Sequence, residues 1–148
     1  MSDIKYTWED LELDVDMLYT QIKCGEWQPD LIIGILRGGA IPAIMLSHRF
    51  DVPVKLVEWS CRDSEIHDTI SWDRVCATAF SKNILVVDDI LDSGLTISQL
   101  KERAFDCPNM KYCSIFRNAE SETKVDFWCE TLFRSEDSRW VRFPWESN

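Results

Sequence analysis

Several patterns that would assign this chain to a common class of protein are missing from it. No apolar run is long enough to cross a membrane, and the polar, acidic start lacks the basic and then apolar order of a signal peptide. The six cysteines form no CxxC pair and no zinc-ligand spacing, so we expect reduced thiols in a cytoplasmic protein. Neither GxGxxG nor GxxxxGK(S/T) occurs, which argues against a dinucleotide-binding motif and a P-loop.

Positive charge is also scarce. Lys and Arg number 16 against 26 Asp and Glu, and the formal net charge is −10. Nucleic acids and anionic membranes need a basic surface, so we expect neither of them as a partner. A small anionic ligand remains compatible with this charge, because backbone amides, a few arginines and a cation can hold phosphate locally. The length of 148 residues predicts a single domain over 1–148 with a substantial core.

The most informative stretch, residues 84–97, reads ILVVDDILDSGLTI. Its apolar start is typical of a strand buried on both faces, as in a parallel sheet under helices. Two adjacent carboxylates, Asp88 and Asp89, end the apolar run, and Asp92 follows them. Paired carboxylates suit a ligand that carries both a ribose diol and Mg²⁺. We therefore expect a site for a phosphorylated sugar at the end of this strand.

The turn after these acids has the features of a phosphate-binding loop. It combines a glycine that can take positive φ, two hydroxyl side chains and the start of a helix-compatible run, all of which suit phosphate. The residues of the turn are Ser93, Gly94, Leu95 and Thr96.

Together, the apolar strand, the Asp-Asp pair and the Asp-Ser-Gly-Leu-Thr turn resemble the signature of the type I phosphoribosyltransferases. The resemblance implies an α/β fold with a mostly parallel central sheet flanked by helices, and a flexible hood loop. It implies that Asp88 and Asp89 bind ribose and the cofactor Mg²⁺, that residues 93–96 bind the 5-phosphate, and that Asp92 is the general base. Residues 82–89 also resemble the first strand of a receiver domain, but only 59 residues follow and they lack that domain's later motifs.

A second strand, loop and helix precede the acidic signature. An apolar run at 31–35 leads through Leu36 into a loop, and a helical run covers 40–50. The loop contains Arg37, Gly38 and Gly39. Glycines let the backbone approach a ligand, and the arginine supplies charge. The resemblance makes this the pyrophosphate-binding loop, which in the family often carries a non-proline cis peptide, and we predict one between Leu36 and Arg37.

The C-terminal segment narrows the resemblance to the small bacterial and archaeal 6-oxopurine phosphoribosyltransferases. Trp140 and Val141 precede a Pro-Trp-Glu sequence, as in the base pocket of those enzymes. An indole can stack on a purine, and the next residue's main-chain groups can contact the ring edge. Asn118 stands where the family usually has a Lys that contacts the purine O6. An amide can donate or accept, so the preferred base stays open. We predict that Asn118, Trp140 and Val141 bind the base, within a base-pocket segment at 117–148.

The rest of the chain supplies the scaffold. Hydrophobic spacing predicts helices at 8–23 and 97–105 and strands at 54–57, 112–116 and 125–129. Residues 59–82 show no clear period and are predicted to form an irregular hood, in which His67 is solvated.

The resemblance implies a Mg²⁺-dependent enzyme of purine salvage. It would transfer ribose 5-phosphate from phosphoribosyl pyrophosphate to guanine, hypoxanthine or xanthine, giving a nucleoside monophosphate and pyrophosphate. We expect small-molecule substrates as its partners and a homo-oligomer, a dimer or higher. Two alternatives are a regulatory sensor of phosphoribosyl pyrophosphate without turnover, and a transferase with a non-purine acceptor.

Overall fold

The computed structural model describes residues 2–61 and 65–146. The helices in these residues are α1 (Trp8–Lys23), α2 (Ala40–Phe50), α3 (Thr69–Thr78) and α4 (Leu95–Arg103). The strands are β1 (Ile4–Lys5), β2 (Leu31–Leu36), β3 (Val54–Ser60), β4 (Ile66–His67), β5 (Ile84–Leu91), β6 (Met110–Asn118), β7 (Phe127–Leu132) and β8 (Val141–Arg142).

A six-stranded sheet forms the centre of the fold, with the strand order β4-β3-β2-β5-β6-β7. All its neighbouring strands run parallel except β4, which is antiparallel to β3. A separate parallel pair joins β1 to β8. The carboxyl ends of parallel strands meet at one edge of a sheet, where ligands bind in open α/β folds. The predicted α/β fold with a mostly parallel sheet is confirmed.

Helices cover both faces of this sheet. Alternate residues of β5 point to opposite faces, as in any strand. Val86 packs into one hydrophobic cluster with residues of α3 and α4, and Leu85 packs into another with residues of α1 and α2. This double burial explains why the first half of β5 is apolar without interruption.

The predicted helix at 8–23 is confirmed as α1. It begins at a capping box, in which the Asp10 N–H donates to Thr7 Oγ1 (3.1 Å) and the Thr7 N–H donates to the Asp10 carboxylate (2.9 Å). Its buried residues, which include Leu11 and Leu18, follow the helical period that the sequence shows. Helix α2 also covers the predicted residues, 40–50.

The prediction of an irregular hood over 59–82 is wrong for much of that range. Strand β3 continues to Ser60, and α3 begins after Asp68, whose carboxylate accepts a hydrogen bond from the Ser71 N–H (3.1 Å). Trp72 of α3 is fully buried, and its indole N–H donates to the carbonyl of Leu100 (3.2 Å). Residues 62–64, also part of the predicted hood, lie outside the described residues.

His67 is not the solvated loop residue that the sequence suggested. It belongs to β4 and stacks on the ring of Trp59, with centroids 4.6 Å apart. Its neighbour Cys61 lies 3.8 Å from the imidazole Nε2. The two contacts of His67 help to hold β4 at the edge of the sheet, beside the cleft described below.

Several boundaries differ from the predicted ones. Strand β5 runs through both aspartates to Leu91, whereas the apolar run ends at Val87. Strand β6 is longer than predicted, β7 lies further along the chain than 125–129, and α4 starts and ends two residues earlier than predicted. Within residues 2–61 and 65–146, none of the helices has the length and apolar character needed to cross a membrane.

Candidate active site

An open cleft lies at the carboxyl ends of the strands. It is bordered by the loop after β2, the end of β5, the turn before α4, the end of β6 and the strand β8. Nearly all the site residues predicted from the sequence line it: Arg37, Gly38, Asp88, Asp89, Asp92, Ser93, Gly94, Leu95, Thr96, Asn118, Trp140 and Val141. Gly39 is the N-cap of α2, directly behind the loop. Segments that are distant in the sequence therefore meet in one place.

The loop after β2 lies against β5 because its two glycines have no side chains. A Cβ atom on Gly38 would overlap the carboxylate of Asp89, and one on Gly39 would overlap the carbonyl oxygen of Val87. The predicted cis peptide between Leu36 and Arg37 is confirmed in this loop. The glycines thus allow the loop of Arg37 to reach the paired acids.

Backbone amides orient the paired acids at the end of β5. The Asp88 carboxylate accepts from the Asp89 N–H (2.9 Å), and the Asp89 carboxylate accepts from the Ile90 N–H (2.7 Å). Burial raises the pKa of Asp89 above its ordinary value, and the nearby charge of Glu146 adds to the increase. A cation bound at these carboxylates would offset that electrostatic cost. In the described part of the chain, no group of three or more His, Cys, Asp or Glu side chains could form a protein-only metal site.

The turn at 93–96 is held from behind by a second loop. Gly94 has a positive φ of 84° and caps the N-terminus of α4. Ser121, a buried residue after β6, donates its hydroxyl hydrogen to the carbonyl of Ser93 (3.1 Å). A Cβ atom on Gly94 would lie 2.6 Å from that hydroxyl oxygen. The turn therefore needs glycine both for its backbone angle and for this packing, and it leaves the amides at the start of α4 facing the cleft.

Asp92 is paired with an arginine that sequence reasoning missed. Arg134 donates from Nε to Asp92 Oδ1 (3.0 Å) and from Nη2 to Asp92 Oδ2 (3.1 Å). The two side chains are only 18% and 26% exposed. This two-point geometry fixes the plane of the carboxylate. The sequence around Arg134 is a short charged stretch with no motif that marks the arginine.

The segment predicted to bind the base is held by β1. The Ile4 N–H donates to the carbonyl of Trp140 (2.8 Å), and the Tyr6 N–H donates to the carbonyl of Arg142 (3.1 Å). Successive carbonyls of an extended strand point to opposite sides, so the N–H and C=O of Val141 face away from β1. Trp140 is 41% exposed and borders the cleft. A flat ring and a pair of main-chain groups therefore lie side by side at the cleft.

The other tail aromatics are structural. Phe143 is buried, and its ring stacks on that of Trp145 with centroids 4.9 Å apart. Trp145 also meets Trp8 of α1, with centroids 6.2 Å apart. These contacts anchor the segment that carries Trp140.

Asn118 borders the cleft, but its amide already has partners. Its Nδ2 donates to the carbonyl of Asp92 (3.2 Å), and its Oδ1 accepts from the Glu120 N–H (3.1 Å). Arg117 does not replace the missing lysine, because its guanidinium lies over the ring of Trp128, 3.8 Å from the centroid. At the position where the family usually has a lysine, this chain therefore has a neutral amide held by two backbone contacts.

The acids, the phosphate-type turn and the cis-peptide loop define a class of protein. Residues 6–148 match the family model described as the phosphoribosyl transferase domain, and the chain belongs to that family. The resemblance inferred from residues 84–97 is confirmed.

Particular relatives refine this assignment. The chain is 32% identical over 118 residues to a xanthine-guanine phosphoribosyltransferase of Idiomarina loihiensis, covering 78% of this chain and 70% of the relative. It is 28% identical over 145 residues to the enzyme of that name from Nitratidesulfovibrio vulgaris, covering 95% and 83%. Among solved structures, it resembles a purine phosphoribosyltransferase from Pyrococcus horikoshii, with a TM-score of 0.78, 25% identity, and coverage of 100% of this chain and 96% of that one.

Proposed function

We propose that this protein is a purine phosphoribosyltransferase. It transfers ribose 5-phosphate from phosphoribosyl pyrophosphate to a 6-oxopurine base and releases pyrophosphate. The observation that carries the proposal is the meeting of the Asp88–Asp89 pair, the turn at 93–96 and Trp140 along one cleft. The first two suit a phosphorylated ribose and the third suits a bicyclic base, so the cleft accepts both substrates of one reaction.

Each part of the cleft has a role in this proposal. Asp88 and Asp89 hold the ribose hydroxyls and Mg²⁺, the turn at 93–96 holds the 5-phosphate, and Arg37, Gly38 and Gly39 hold the pyrophosphate. Two carboxylates together with substrate oxygens are a usual set of ligands for Mg²⁺, which here supplies positive charge to the departing pyrophosphate. Asp92 accepts the proton that leaves the purine as the new bond to ribose forms. The protein works chiefly by positioning its substrates and stabilising charge.

The residues proposed to bind the base suit a purine, but they do not distinguish one 6-oxopurine from another. Trp140 provides a stacking face, and the Val141 main chain provides one donor and one acceptor for the ring edge. Asn118 contributes a neutral amide, and one of its Nδ2 hydrogens is used by the carbonyl of Asp92. We therefore propose guanine, hypoxanthine or xanthine as the acceptor, with weaker discrimination than a lysine at 118 would give.

A panel of bases tests this function. The protein is incubated with Mg²⁺, phosphoribosyl pyrophosphate and, in turn, guanine, hypoxanthine, xanthine, adenine, uracil or orotate. Pyrophosphate release and the mass of the nucleotide product are measured. We expect the highest kcat/KM with a 6-oxopurine. A higher value with adenine or a pyrimidine would refute the choice of base and leave only the phosphoribosyl half of the proposal.

One observation favours a second candidate, a sensor of phosphoribosyl pyrophosphate without turnover. Both carboxylate oxygens of Asp92 already accept hydrogen bonds from Arg134, so a base would have to approach a carboxylate that is engaged by another side chain. A sensor would bind Mg²⁺ and phosphoribosyl pyrophosphate, as calorimetry would show, but would release no pyrophosphate with any base.

We also propose that the enzyme works in the cytoplasm as a homo-oligomer. All six cysteines are free thiols, which suits a reducing compartment. Light scattering on the purified protein decides the oligomeric state, and a single species of 17.3 kDa would contradict it.

A further inference from the structure

Arg134 lies where two parts of the cleft meet. It lies in a tight turn shortly after β7, in which the N–H groups of Glu136 and Asp137 donate to the carbonyl of Phe133 (2.9 and 2.8 Å). A second contact fastens this turn: the Ser135 N–H donates to the carboxylate of Glu120 (2.7 Å). The backbone around Arg134 is thus held in place by contacts that do not involve the Arg134 side chain.

The guanidinium of Arg134 connects two segments. Nε and Nη2 bind the carboxylate of Asp92, while Nη1 donates to the carbonyls of Asp137 (3.3 Å) and Arg139. A guanidinium has five N–H donors, so four of them are accounted for by these acceptors. Arg139 directly precedes Trp140. The side chain of Arg134 therefore links the carboxylate of Asp92 to the segment that carries Trp140.

Arg134 also places a positive charge near residue 118, where the family usually has a lysine and this chain has Asn118. Asn118 is neutral, and Arg117 lies over Trp128 rather than in the cleft. Arg134 is among the residues that line the cleft, and its planar fork holds a carboxylate with a fixed geometry that a lysine cannot impose. It thus combines a positive charge with a defined orientation.

We infer that Arg134 is the positioning residue of the base-binding half: it holds the Asp92 carboxylate and the 139–142 segment in one fixed arrangement. The inference rests on the proposed function, since it assigns a role within the same reaction. Arg134 acts through Asp92 and Trp140 and not on the ribose or its phosphates. Its removal should therefore affect use of the base far more than binding of phosphoribosyl pyrophosphate.

The test uses three variants of the full chain. Arg134→Met removes the charge and every hydrogen bond of the guanidinium. Arg134→Lys keeps the charge but cannot make the fork or reach both segments. Arg117→Met is the matched control, since it makes the same substitution at a cation that lies outside the cleft on Trp128. Thermal unfolding of each variant confirms that it is folded at the assay temperature.

Three quantities are measured for each variant. With Arg134→Met we expect kcat/KM for the best base to fall about 100-fold, while the calorimetric Kd for phosphoribosyl pyrophosphate with Mg²⁺ changes by less than about threefold. Amide hydrogen exchange in residues 135–142 should become faster. Arg134→Lys should recover about tenfold or less of the lost kcat/KM, and Arg117→Met should resemble the wild type in all three.

Several results would overturn the inference. One is a loss of kcat/KM in Arg134→Met no larger than that in Arg117→Met, and another is full recovery with Arg134→Lys. If Arg134→Met weakened phosphoribosyl pyrophosphate binding as much as it lowered kcat/KM for the base, Arg134 would have to act on the sugar-phosphate part of the site. If the wild type turns over no base at all, the proposed function fails, and hydrogen exchange alone still decides whether Arg134 organises the 139–142 segment.

Discussion

Asp14 predicts an unusual dependence of stability on pH. Its side chain is buried in α1, where residue exposure is 4%, and its carboxylate accepts a hydrogen bond from the Tyr6 hydroxyl (2.7 Å). Burial raises the pKa of Asp14 from its ordinary value of 3.8 to about 6, and the charge of Glu130 adds to this, although the Tyr6 hydrogen bond opposes it. Tyr6 directly follows β1, so this carboxyl lies next to the strand that supports the base-binding segment.

The sign of the effect follows from proton binding. Because the pKa of Asp14 is higher in the folded chain, the folded state binds this proton more tightly than the unfolded state does. The free energy of unfolding therefore decreases as the pH rises from about 4 to about 6 and is insensitive to Asp14 above that range. The two pKa values differ by about two, at roughly 1.4 kcal/mol for each unit, so the full effect is at most about 3 kcal/mol.

The perturbation is Asp14→Asn, which keeps an oxygen to accept from Tyr6 but cannot ionise. We expect the variant to be more stable than the wild type at pH 7 by about 1–3 kcal/mol and nearly equal to it at pH 4. For a chain of this size 1 kcal/mol shifts the midpoint of thermal unfolding by roughly 2–4 °C, so the midpoint at pH 7 should rise by about 2–12 °C. The measurement is urea unfolding at pH 4, 5, 6 and 7.

The matched control is Glu12→Gln, which removes one carboxylate from an exposed position of the same helix. It should change the free energy of unfolding by less than about 0.5 kcal/mol at every pH. A variant Asp14→Asn that is less stable than the wild type at pH 7, or that keeps the same pH dependence, would show that Asp14 is ionised at little cost in the folded chain.

Three further predictions concern the cleft. Gly38→Ala should weaken Mg²⁺-dependent binding of phosphoribosyl pyrophosphate at least about tenfold, because the new Cβ displaces the Asp89 carboxylate; unchanged affinity by calorimetry would refute this. Replacing Asp88 and Asp89 by Asn together should reduce the same affinity while circular dichroism shows a folded chain, and retained affinity would remove both from the site. Asn118→Lys should raise the ratio of kcat/KM for 6-oxopurines over adenine by about fivefold, since a charged donor is worth on the order of 1 kcal/mol more than a neutral one; a ratio that falls or stays level would show that residue 118 does not contact the base.

Local patterns predicted much of the scaffold. The capping box at Thr7 and the spacing of Leu11 and Leu18 lie within a few residues of one another, so α1 can be read directly from the sequence. The apolar run of β5 was equally clear, because burial on both faces leaves no polar positions in it. Helix α3 was missed although Trp72, Val75 and Ala79 are buried at the helical spacing i, i+3 and i+7. Two exposed hydrophobic residues, Ile70 and Phe80, interrupt that pattern in the sequence.

The parts of the site that depend on distant contacts were harder to predict. The pairing of Arg134 with Asp92 joins residues 42 apart, and no local pattern marks it. The direction of the Val141 main-chain groups depends on pairing with β1, a strand of two residues that is too short to recognise from composition. The acids and the phosphate-type turn were found because a single contiguous stretch contains them.

The pair of β1 and β8 has a consequence for the order in which the chain is synthesised. It joins Ile4 to Val141, which are 141 − 4 = 137 residues apart. β1 is made before β8 and has no partner until Val141 and Arg142 have left the ribosome, whereas β2, β5 and α4, which carry the acids and the turn, are complete by Arg103. We therefore expect a nascent chain to assemble the sugar-phosphate half of the cleft first. We expect the surface proposed for the base to form later, when β8 pairs with β1.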